Sequence, residues 1–273
     1  MNDSLFSVEG KCVALTGGAG VLCGEMARAL GARGAKVAVL DIMDDPAAAL
    51  AEEIAASGGQ GIAVHCNVLE KASVAQALAE VVAKFGAVDV LVNGAGGNRK
   101  DATCVPPETT FFGLDADALR FVFELNCIGT MVPSQVFGQA MADAGSGVIV
   151  NLSSMSALHP LTRIAGYSAA KAAVSNFTEW LATYMAQNHS PDIRVNAIAP
   201  GFFLTEQNRF LLTDEETGEL TQRGRQIIDG TPMGRFGEPA ELIGTLIWLI
   251  SDASKFITGV VVPIDGGFNA YTI

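Results

Sequence analysis

Short apolar runs alternate along the chain with longer, alanine-rich amphipathic stretches. The runs are four to six residues long and lack polar alternation, which is typical of parallel strands buried on both faces. They predict strands over 12–15, 36–40, 61–65, 88–92, 147–152, 193–198 and 260–263. The longer stretches predict helices over 22–32, 46–57, 71–85, 116–142, 167–188 and 239–251. This alternation predicts an α/β fold of the Rossmann type, a doubly wound parallel sheet of about seven strands flanked by helices.

The alternation breaks over 202–237, which is polar, charged and carries its own helical patches. An insertion of this size after a strand predicts a substrate lid. No linker, repeat or low-complexity block divides the rest of the sequence. We therefore expect residues 1–273 to form a single domain.

Composition and charge exclude several classes of protein. Hydrophobic residues make up 49% of the 273 residues and charged residues 17%, which excludes a disordered chain. The net charge of −12 argues against nucleic acid as a partner. No apolar run is long enough to span a membrane, and the first ten residues lack the features of a signal peptide. We expect a cytoplasmic protein with a small-molecule substrate and no membrane partner.

The cysteines and histidines do not follow the spacing of a metal site. The five cysteines are scattered and form no CxxC pair, so we expect reduced, mostly buried thiols. The three histidines lack metal-ligand spacing, and we expect no metal.

A glycine-rich turn follows the first predicted strand and precedes the first predicted helix. Small residues there let the backbone approach a pyrophosphate, which the positive end of a helix attracts. The turn and the helix start that we expect to contact it comprise Thr16, Gly17, Gly18, Gly20, Val21 and Leu22.

Asp41 ends the second predicted strand. Its carboxylate can accept hydrogen bonds from both hydroxyls of an adenosine ribose, and it would repel a 2′-phosphate. This favours NAD over NADP. The alternative is that Asp41 caps the helix that contains Pro46.

Tyr167 and Lys171 are four residues apart and would share one face of a helix. A nearby ammonium favours the phenolate, so we expect Lys171 to lower the pKa of Tyr167 toward neutrality. Tyr167 is then a candidate general acid and base. The alternative is a solvated pair on a helix surface.

Further polar residues follow predicted strands, at the edge where doubly wound sheets bind ligands. Ser153 and Ser154 follow the fifth strand, where their alternative role is to cap the strand end. Asn126 lies within a predicted helix, where asparagine is mildly unfavourable, and so needs a specific role or a solvent-facing position. Two more such turns are Asn93-Gly94-Ala95-Gly96-Gly97 and Asn196-Ala197-Ile198-Ala199-Pro200-Gly201, the latter leading to Thr205.

These motifs together resemble the short-chain dehydrogenase/reductase family over essentially the whole chain. The resemblance rests on the order and spacing of the turn at Thr16, the Asn93-Gly94-Ala95-Gly96 segment, Asn126, Ser154, Tyr167, Lys171, Pro200-Gly201 with Thr205, and Asp265-Gly266-Gly267.

The resemblance implies a catalytic tetrad of Asn126, Ser154, Tyr167 and Lys171. Tyr167 would exchange a proton with the substrate oxygen, and Ser154 would hydrogen-bond that oxygen. Lys171 would lower the pKa of Tyr167 and hold the nicotinamide ribose, while Asn126 would anchor a water that links Lys171 to solvent. The implied cofactor-binding residues are Gly17, Gly18, Gly20, Val21, Leu22, Asp41, Asn67, Val68, Asn93, Gly94, Ala95, Tyr167, Lys171, Pro200, Gly201, Phe203 and Thr205.

Two positions depart from the family pattern. Aligned without a gap, the second and third glycines of its phosphate loop fall on Val21 and Cys23, so Gly18, Gly20 or Gly24 would compensate. We interpret Cys23 as a packing residue. Asn67 stands where the family often has an aspartate beside the adenine, and its amide can still hydrogen-bond the edge of that ring.

Segments that border the predicted cleft are rich in amides and arginines, which suit a polyol and a carboxylate. They suggest a sugar acid, and within the family they resemble the D-mannonate oxidoreductases (fructuronate reductases), which implies reduction of D-fructuronate to D-mannonate with NADH. Either Arg163 or Arg209 would clamp the carboxylate, whereas Arg223 and Arg225 would form a solvated face. The candidate substrate residues are Asn98, Ser156, His159, Arg163, Asn208 and Arg209.

Other functions remain open at this stage. The same reaction class includes gluconate-type dehydrogenases and 3-oxoacyl reductases, although a dry, leucine-lined pocket would suit an acyl chain better than arginine and asparagine do. A non-catalytic dinucleotide-binding regulator would have lost Tyr167 or Lys171. The resemblance also implies a homotetramer built on helices 116–142 and 167–188 and the C-terminal strand. Four apolar residues of helix 167–188 would serve that interface or the core: Phe177, Trp180, Leu181 and Tyr184.

Overall fold

The computed structural model describes residues 4–204, 209–214 and 217–271. Within these ranges seven strands form one parallel sheet, in the order β3-β2-β1-β4-β5-β6-β7. The strands are β1 Cys12–Thr16, β2 Lys36–Asp41, β3 Gln60–His65, β4 Val90–Asn93, β5 Gly147–Leu152, β6 Ile193–Pro200 and β7 Val261–Ile264. The strand order reverses between β1 and β4, so the predicted doubly wound Rossmann-type sheet is confirmed.

Helices cover both faces of the sheet. They are α1 Val21–Gly31, α2 Asp44–Ala56, α3 Lys71–Phe85, α4 Ala116–Phe123, α5 Gly129–Ala144, α6 Ala165–Asn188, α7 Arg209–Leu212, α8 Gln222–Asp229 and α9 Ile243–Ile250. None of the helices within the described ranges is both long enough and apolar enough to cross a membrane.

Each face of the sheet has its own hydrophobic core, because successive strand residues point to opposite sides. Val13 and Leu15 of β1 pack in the core formed with α1 and α9. Ala14, between them in sequence, packs in the core formed with α3, α5 and α6, where Phe137 is fully buried. Burial on both faces explains the uninterrupted apolar runs of the sequence.

The helix predicted over 116–142 is not continuous. Residues Glu124–Ile128 form a π-helical turn between α4 and α5. Asn126 Nδ2 donates to the Val122 carbonyl at 2.7 Å, and Thr130 Oγ1 donates to the Asn126 carbonyl at 2.9 Å. Side chains thus bond carbonyls along this interruption of the α-helical pattern.

The insertion predicted as a lid carries α7 and α8, with residues 205–208 and 215–216 outside the described residues. The two helices are held together by an antiparallel bridge between Thr213 and Leu220 and by very close packing at Gly224. A β-carbon on Gly224 would lie 2.2 Å from the Leu212 carbonyl oxygen, so only glycine fits there.

All five cysteines are buried and free: Cys12, Cys23, Cys66, Cys104 and Cys127. This agrees with the reduced, buried thiols predicted from their spacing.

Candidate active site

Polar residues at the carboxyl ends of β1, β4 and β5 lie side by side across the sheet. Thr16 is in register with Asn93, and Asn93 with Asn151. Asn93 Nδ2 donates to Asn151 Oδ1 at 2.8 Å and to Ser134 Oγ at 2.9 Å, while Thr16 Oγ1 accepts from the Gly94 amide at 3.1 Å. The Asn93 side chain, predicted to bind cofactor, is thus buried and joins the strand ends to α5.

A cavity of about 550 Å³ opens at this edge of the sheet. It brings together the phosphate-loop region, the turn after β4, the start of α6 and the end of β6. Among its lining residues are Gly17, Gly20, Val21, Leu22, Cys23, Gly94, Gly96, Gly97, Asn98, Ser154, Tyr167, Lys171, Pro200, Gly201 and Phe203.

The glycine-rich turn packs too tightly for side chains. Gly17 has a φ of +60°, and a β-carbon there would lie 2.7 Å from Ala95 Cα. A β-carbon on Gly94 would lie 2.1 Å from Cys23 Sγ, so the missing side chain at residue 94 makes room for the thiol of Cys23. This explains how the loop accommodates a cysteine where the family has glycine. Gly20 is the N-cap of α1 and makes no side-chain hydrogen bond, which leaves amide groups of the first turn for an anion.

Gly18 does not line the cavity. Its amide donates to the Leu40 carbonyl at 3.1 Å, which fixes the loop to β2.

Asp41 is fixed against the same loop. Its Oδ2 accepts from the Ala19 amide at 3.0 Å, and its Oδ1 accepts from the Met43 amide at 3.0 Å. Met43, not Asp41, is the N-cap of α2, so the alternative role of Asp41 as the helix cap is wrong. The carboxylate instead places a negative charge at the end of β2, beside the glycine-rich turn.

Asn67 and Val68 follow β3 and do not line the cavity. Asn67 Nδ2 donates to Glu70 Oε1 at 2.8 Å, and its Oδ1 accepts from the Leu69 amide at 3.1 Å. Val68 is buried, and the absence of a side chain at Gly129 leaves room for it. Their contact with an adenine ring stays a prediction.

Ser154, Tyr167 and Lys171 meet in the cavity. Lys171 Nζ donates to the Leu152 carbonyl at 2.7 Å and lies 5.6 Å from the centre of the Tyr167 ring. Ser153 also lines the cavity, but its hydroxyl lies 2.7 Å from Ser175 Oγ of α6.

The pKa of Tyr167 shifts in the direction opposite to the prediction. Burial raises the pKa of Tyr167, and the Ser154 side chain opposes that rise only partly. Burial also lowers the pKa of Lys171 to about 8. The expected net lowering of the Tyr167 pKa is therefore wrong for the protein alone, because desolvation of the phenolate outweighs the neighbouring interactions.

Asn126 joins the π-helical turn to the turn after β4. Its Nδ2 donates to the Gly97 carbonyl at 2.7 Å, and its Oδ1 accepts from the Gly97 amide at 3.1 Å. A β-carbon on Gly96 would lie 2.6 Å from Asn126 Oδ1 and 3.3 Å from Lys171 Nζ. Because Gly96 has no β-carbon, the side-chain amide of Asn126 and the ammonium of Lys171 can both lie close to it.

Pro200, Gly201 and Phe203 form the wall of the cavity at the end of β6. Gly201 packs against Asp265, since a β-carbon on Gly201 would lie 2.6 Å from Asp265 Cα. Asp265 in turn accepts hydrogen bonds from the amides of Gly267 and Asn269, which gives the Asp265-Gly266-Gly267 motif a supporting role. Thr205 lies outside the described residues.

The predicted substrate residues do not all reach the cavity. Asn98 lines it, and Arg163 lies between two lining residues, Leu161 and Ile164. His159 is exposed outside it.

Ser156 is turned inward instead of toward the cavity. Its amide donates to Ser154 Oγ in a short 3₁₀ turn, and its own hydroxyl is buried. Arg209, at the start of α7, is exposed and does not line the cavity. Asn208 lies outside the described residues. The placement thus fails to support substrate contacts for Ser156, His159 and Arg209.

The sequence analysis predicted the lid but did not assign residues of α8 to the cavity wall. Arg223 is half-buried and lines the cavity together with Ile227, one helical turn away on α8. The predicted solvated face is correct for Arg225, which is exposed and pairs with Glu219 at 3.7 Å, and wrong for Arg223. The i, i+4 spacing of Arg223 and Ile227 is the signal that could have separated the two arginines.

Comparison with known proteins places the chain among oxidoreductases. A family model described as enoyl-(acyl carrier protein) reductase matches residues 20–269. An uncharacterized oxidoreductase of Bacillus subtilis is 47% identical over 275 residues, with 97% of both chains covered. The 5-keto-D-gluconate 5-reductase of Escherichia coli is 33% identical over 268 residues, with 98% of both covered. A crystal structure from Haemophilus influenzae with bound NAD, provisionally named a D-mannonate oxidoreductase, superposes with a TM-score of 0.91 at 45% identity and covers 97% of both chains.

Proposed function

The chain belongs to the short-chain dehydrogenase/reductase family of oxidoreductases, and from that premise we propose that it reduces the ketone of a sugar acid with NADH. The observation that carries this proposal is the cavity that joins Ser154, Tyr167 and Lys171 to a dinucleotide-type loop and to the side chain of Arg223. D-Fructuronate is the proposed substrate and D-mannonate the product.

The residues present fit a nicotinamide dinucleotide. Gly17 and Gly94 leave a cradle that side chains would fill, and the first turn of α1 offers amides to a pyrophosphate. Tyr167 and Lys171 would hold the nicotinamide ribose, and Pro200 and Gly201 the carboxamide region.

Asp41 supports NADH over NADPH. Two backbone amides fix its carboxylate beside the loop, so the charge cannot easily turn away from a ribose bound there. Ribose hydroxyls can donate to that carboxylate, whereas a 2′-phosphate would meet a like charge.

In the proposed mechanism Tyr167 is the proton donor. Burial keeps its phenol protonated at neutral pH, which is the form needed to protonate a ketone oxygen during reduction. Ser154 would donate a hydrogen bond to the same oxygen and stabilise its developing negative charge. The bound nicotinamide supplies the hydride. Lys171, held by the Leu152 carbonyl, would stabilise Tyr167 after it has lost the proton.

We further propose that residues 1–273 act as one domain and that the protein assembles as a homotetramer. Leu181 belongs to the core, while Trp180 and Tyr184 are 57% and 40% exposed on the outer face of α6. Their rings stack at 5.1 Å, and such an exposed aromatic surface supports an interface on this helix.

The decisive experiment is the initial rate of NADH oxidation with D-fructuronate, measured beside NADPH and beside D-fructose. We expect rapid turnover with NADH and D-fructuronate only, and loss of turnover by a factor of ~10² to 10⁴ in Tyr167→Phe without loss of NADH binding. Reduction of D-fructose at a rate equal to that of D-fructuronate would overturn the sugar-acid assignment. Full activity in Tyr167→Phe would overturn the role of the tyrosine.

A further inference from the structure

One arginine lines the cavity, and a second lies in a segment that contributes lining residues. Arg223 projects from α8 into the lining, and Arg163 lies in the segment before α6 between the lining residues Leu161 and Ile164. Burial lowers the pKa of Arg223, and the positive charge of Arg163 lowers it further. The two guanidinium groups are therefore near enough to repel one another.

Neither arginine forms an ion pair with a carboxylate of the described residues. Five other arginines in those ranges have acidic partners, Arg28 with Glu53, Arg99 with Asp101, Arg120 with Asp117, Arg225 with Glu219 and Arg235 with Glu241. Arg33 and Arg194 instead donate hydrogen bonds to backbone carbonyls. In a protein with a net charge of −12, two interacting cations that have no carboxylate partner among the described residues carry an electrostatic cost. An anion between them would remove the repulsion.

Contacts within the lid fix the position of the helix that carries Arg223. Thr221 Oγ1 accepts from the Gly224 amide at 3.0 Å and begins α8, and the Thr221 amide donates to the Leu212 carbonyl at 3.0 Å. Gly224 allows α8 to approach α7, as described above. Leu212 and Ile227 then supply apolar contacts in the lining beside Arg223.

We propose that Arg223, with Arg163 beside it, binds the carboxylate of the substrate. This inference deepens the proposed function and rests on it. The proton-donating group lies on α6 and the anion-binding group on α8, so one substrate would contact both elements. A sugar acid fits this arrangement, because hydroxylated carbons separate its carboxylate from its ketone. An arginine fork provides bidentate hydrogen bonds to a carboxylate, and a neutral sugar would leave the two cations unpaired.

The test compares two arginines of the same helix. Arg223→Gln removes the cavity charge, and Arg225→Gln removes an exposed, already paired charge. The enzyme is loaded with NADH, and calorimetry measures the dissociation constants of D-mannonate and of its neutral amide, D-mannonamide. In wild type and in Arg225→Gln we expect the acid to bind at least ~10-fold more tightly than the amide. In Arg223→Gln we expect the affinity for D-mannonate to fall by ~10 to 100-fold, while the affinities for D-mannonamide and NADH stay within about twofold.

Several results would overturn the assignment. Equal affinity of wild type for acid and amide would exclude a carboxylate site. A loss in Arg223→Gln that is equal for acid, amide and NADH would show that the residue only packs the lid. Arg223→Lys guards against misfolding, since it keeps the charge and should bind D-mannonate more tightly than Arg223→Gln does. Arg163→Gln should lower the acid affinity as well, by a smaller factor.

Measurements on wild type and Arg223→Gln also distinguish a failure of this inference from a failure of the proposed function. If wild type fails to reduce D-fructuronate but binds D-mannonate in a manner that depends on Arg223, the substrate assignment fails and the anion site stands. If wild type reduces D-fructuronate and Arg223→Gln does so with unchanged kcat/KM, the anion site fails and the function stands.

Discussion

The side chain of Asn126 forms two hydrogen bonds with the peptide of Gly97, one through its amide nitrogen at 2.7 Å and one through its oxygen at 3.1 Å. It thereby connects the interruption between α4 and α5 to a turn that lines the cavity. The π-helical turn is the local backbone form that carries this side chain, and π-bulges are frequent at functional sites. The position of the cavity wall thus depends on one buried amide.

Replacing this amide should destabilise the protein. In Asn126→Ala the Gly97 peptide loses both partners, and we expect the free energy of unfolding to fall by about 1–3 kcal/mol, together with a loss of turnover. Urea denaturation measures the first effect. Asn188→Ala is a control, because Asn188 donates one exposed hydrogen bond to Tyr184 and should cost less than about 1 kcal/mol. Equal losses in the two variants would contradict the role of Asn126.

Cofactor choice should depend on the charge of Asp41. Asp41→Asn keeps the shape of the side chain and one acceptor oxygen but removes the negative charge, so we expect the ratio of kcat/KM for NADH to that for NADPH to fall by ~10-fold or more. Steady-state kinetics with both cofactors gives the ratio. The matched control is Asp44→Asn, since Asp44 is exposed and pairs with His65. A ratio that shifts equally in both variants would mean that overall charge, and not Asp41, sets the preference.

The buried ammonium of Lys171 should make stability depend on pH. Its pKa is about 8 in the folded protein and 10.5 in the unfolded chain, so between these values the unfolded state binds more protons. The stability of wild type should therefore rise with pH through this range relative to Lys171→Met. The difference in pKa corresponds to a relative gain of about 3 kcal/mol from pH 7 to pH 10.5.

Urea denaturation of wild type and Lys171→Met at several pH values provides the measurement. Tyr167 is common to both proteins, so the comparison isolates the lysine. Lys255 is exposed and pairs with Asp252, and Lys255→Met should give a difference from wild type that hardly changes with pH. Parallel stability profiles for wild type and Lys171→Met would show that the lysine keeps its ordinary pKa.

The thiol of Cys23 and the backbone of Gly94 should be energetically coupled. In Gly94→Ala the new methyl group would overlap the sulfur and crowd the Thr16 carbonyl, at a cost of about 1–3 kcal/mol. Adding Cys23→Ala removes the first overlap, so the double variant should be more stable than the sum of the single effects. Gly244→Ala is the control, because no atom lies within 4 Å of its β-carbon position on the exposed face of α9. It should stabilise the helix by about 0.5–1 kcal/mol, and additive effects of Gly94→Ala and Cys23→Ala would refute the coupling.

The fold was predictable because burial on both faces of the sheet leaves a direct pattern in the sequence. Each predicted strand ends within two residues of the observed one. The break between α4 and α5 was not predictable from periodicity, since apolar spacing continues across it. The break accompanies the contact of Asn126 with Gly97, which lies 29 positions away in the sequence. Asn126 could be singled out as a polar residue within a predicted helix, but nothing in the sequence indicated that Gly97 would be its hydrogen-bond partner.

A site residue was predictable where its type and spacing alone indicate its chemistry. It was less predictable where burial and packing decide its pKa or whether its side chain reaches the cavity. Tyr167 and Lys171 could be singled out by spacing, yet the direction of the Tyr167 pKa depends on burial that spacing does not reveal. Arg223 and Arg225 look alike in a polar helix, and only the packing of α8 on α7 turns one of them into the cavity. The contribution of α8 to the cavity wall was not predicted because it depends on the same packing.

The burial of every cysteine has a practical consequence for attaching a label to α8. Cys12, Cys23 and Cys66 have pKa values raised to about 12 by burial, so hardly any of these thiols is in the reactive thiolate form at neutral pH. Because all five thiols are buried, maleimide reagents should react slowly with the native protein. A single cysteine placed at the exposed Arg225 would accept a fluorescent or spin label selectively, and the label would report how α8 responds as substrate and cofactor bind.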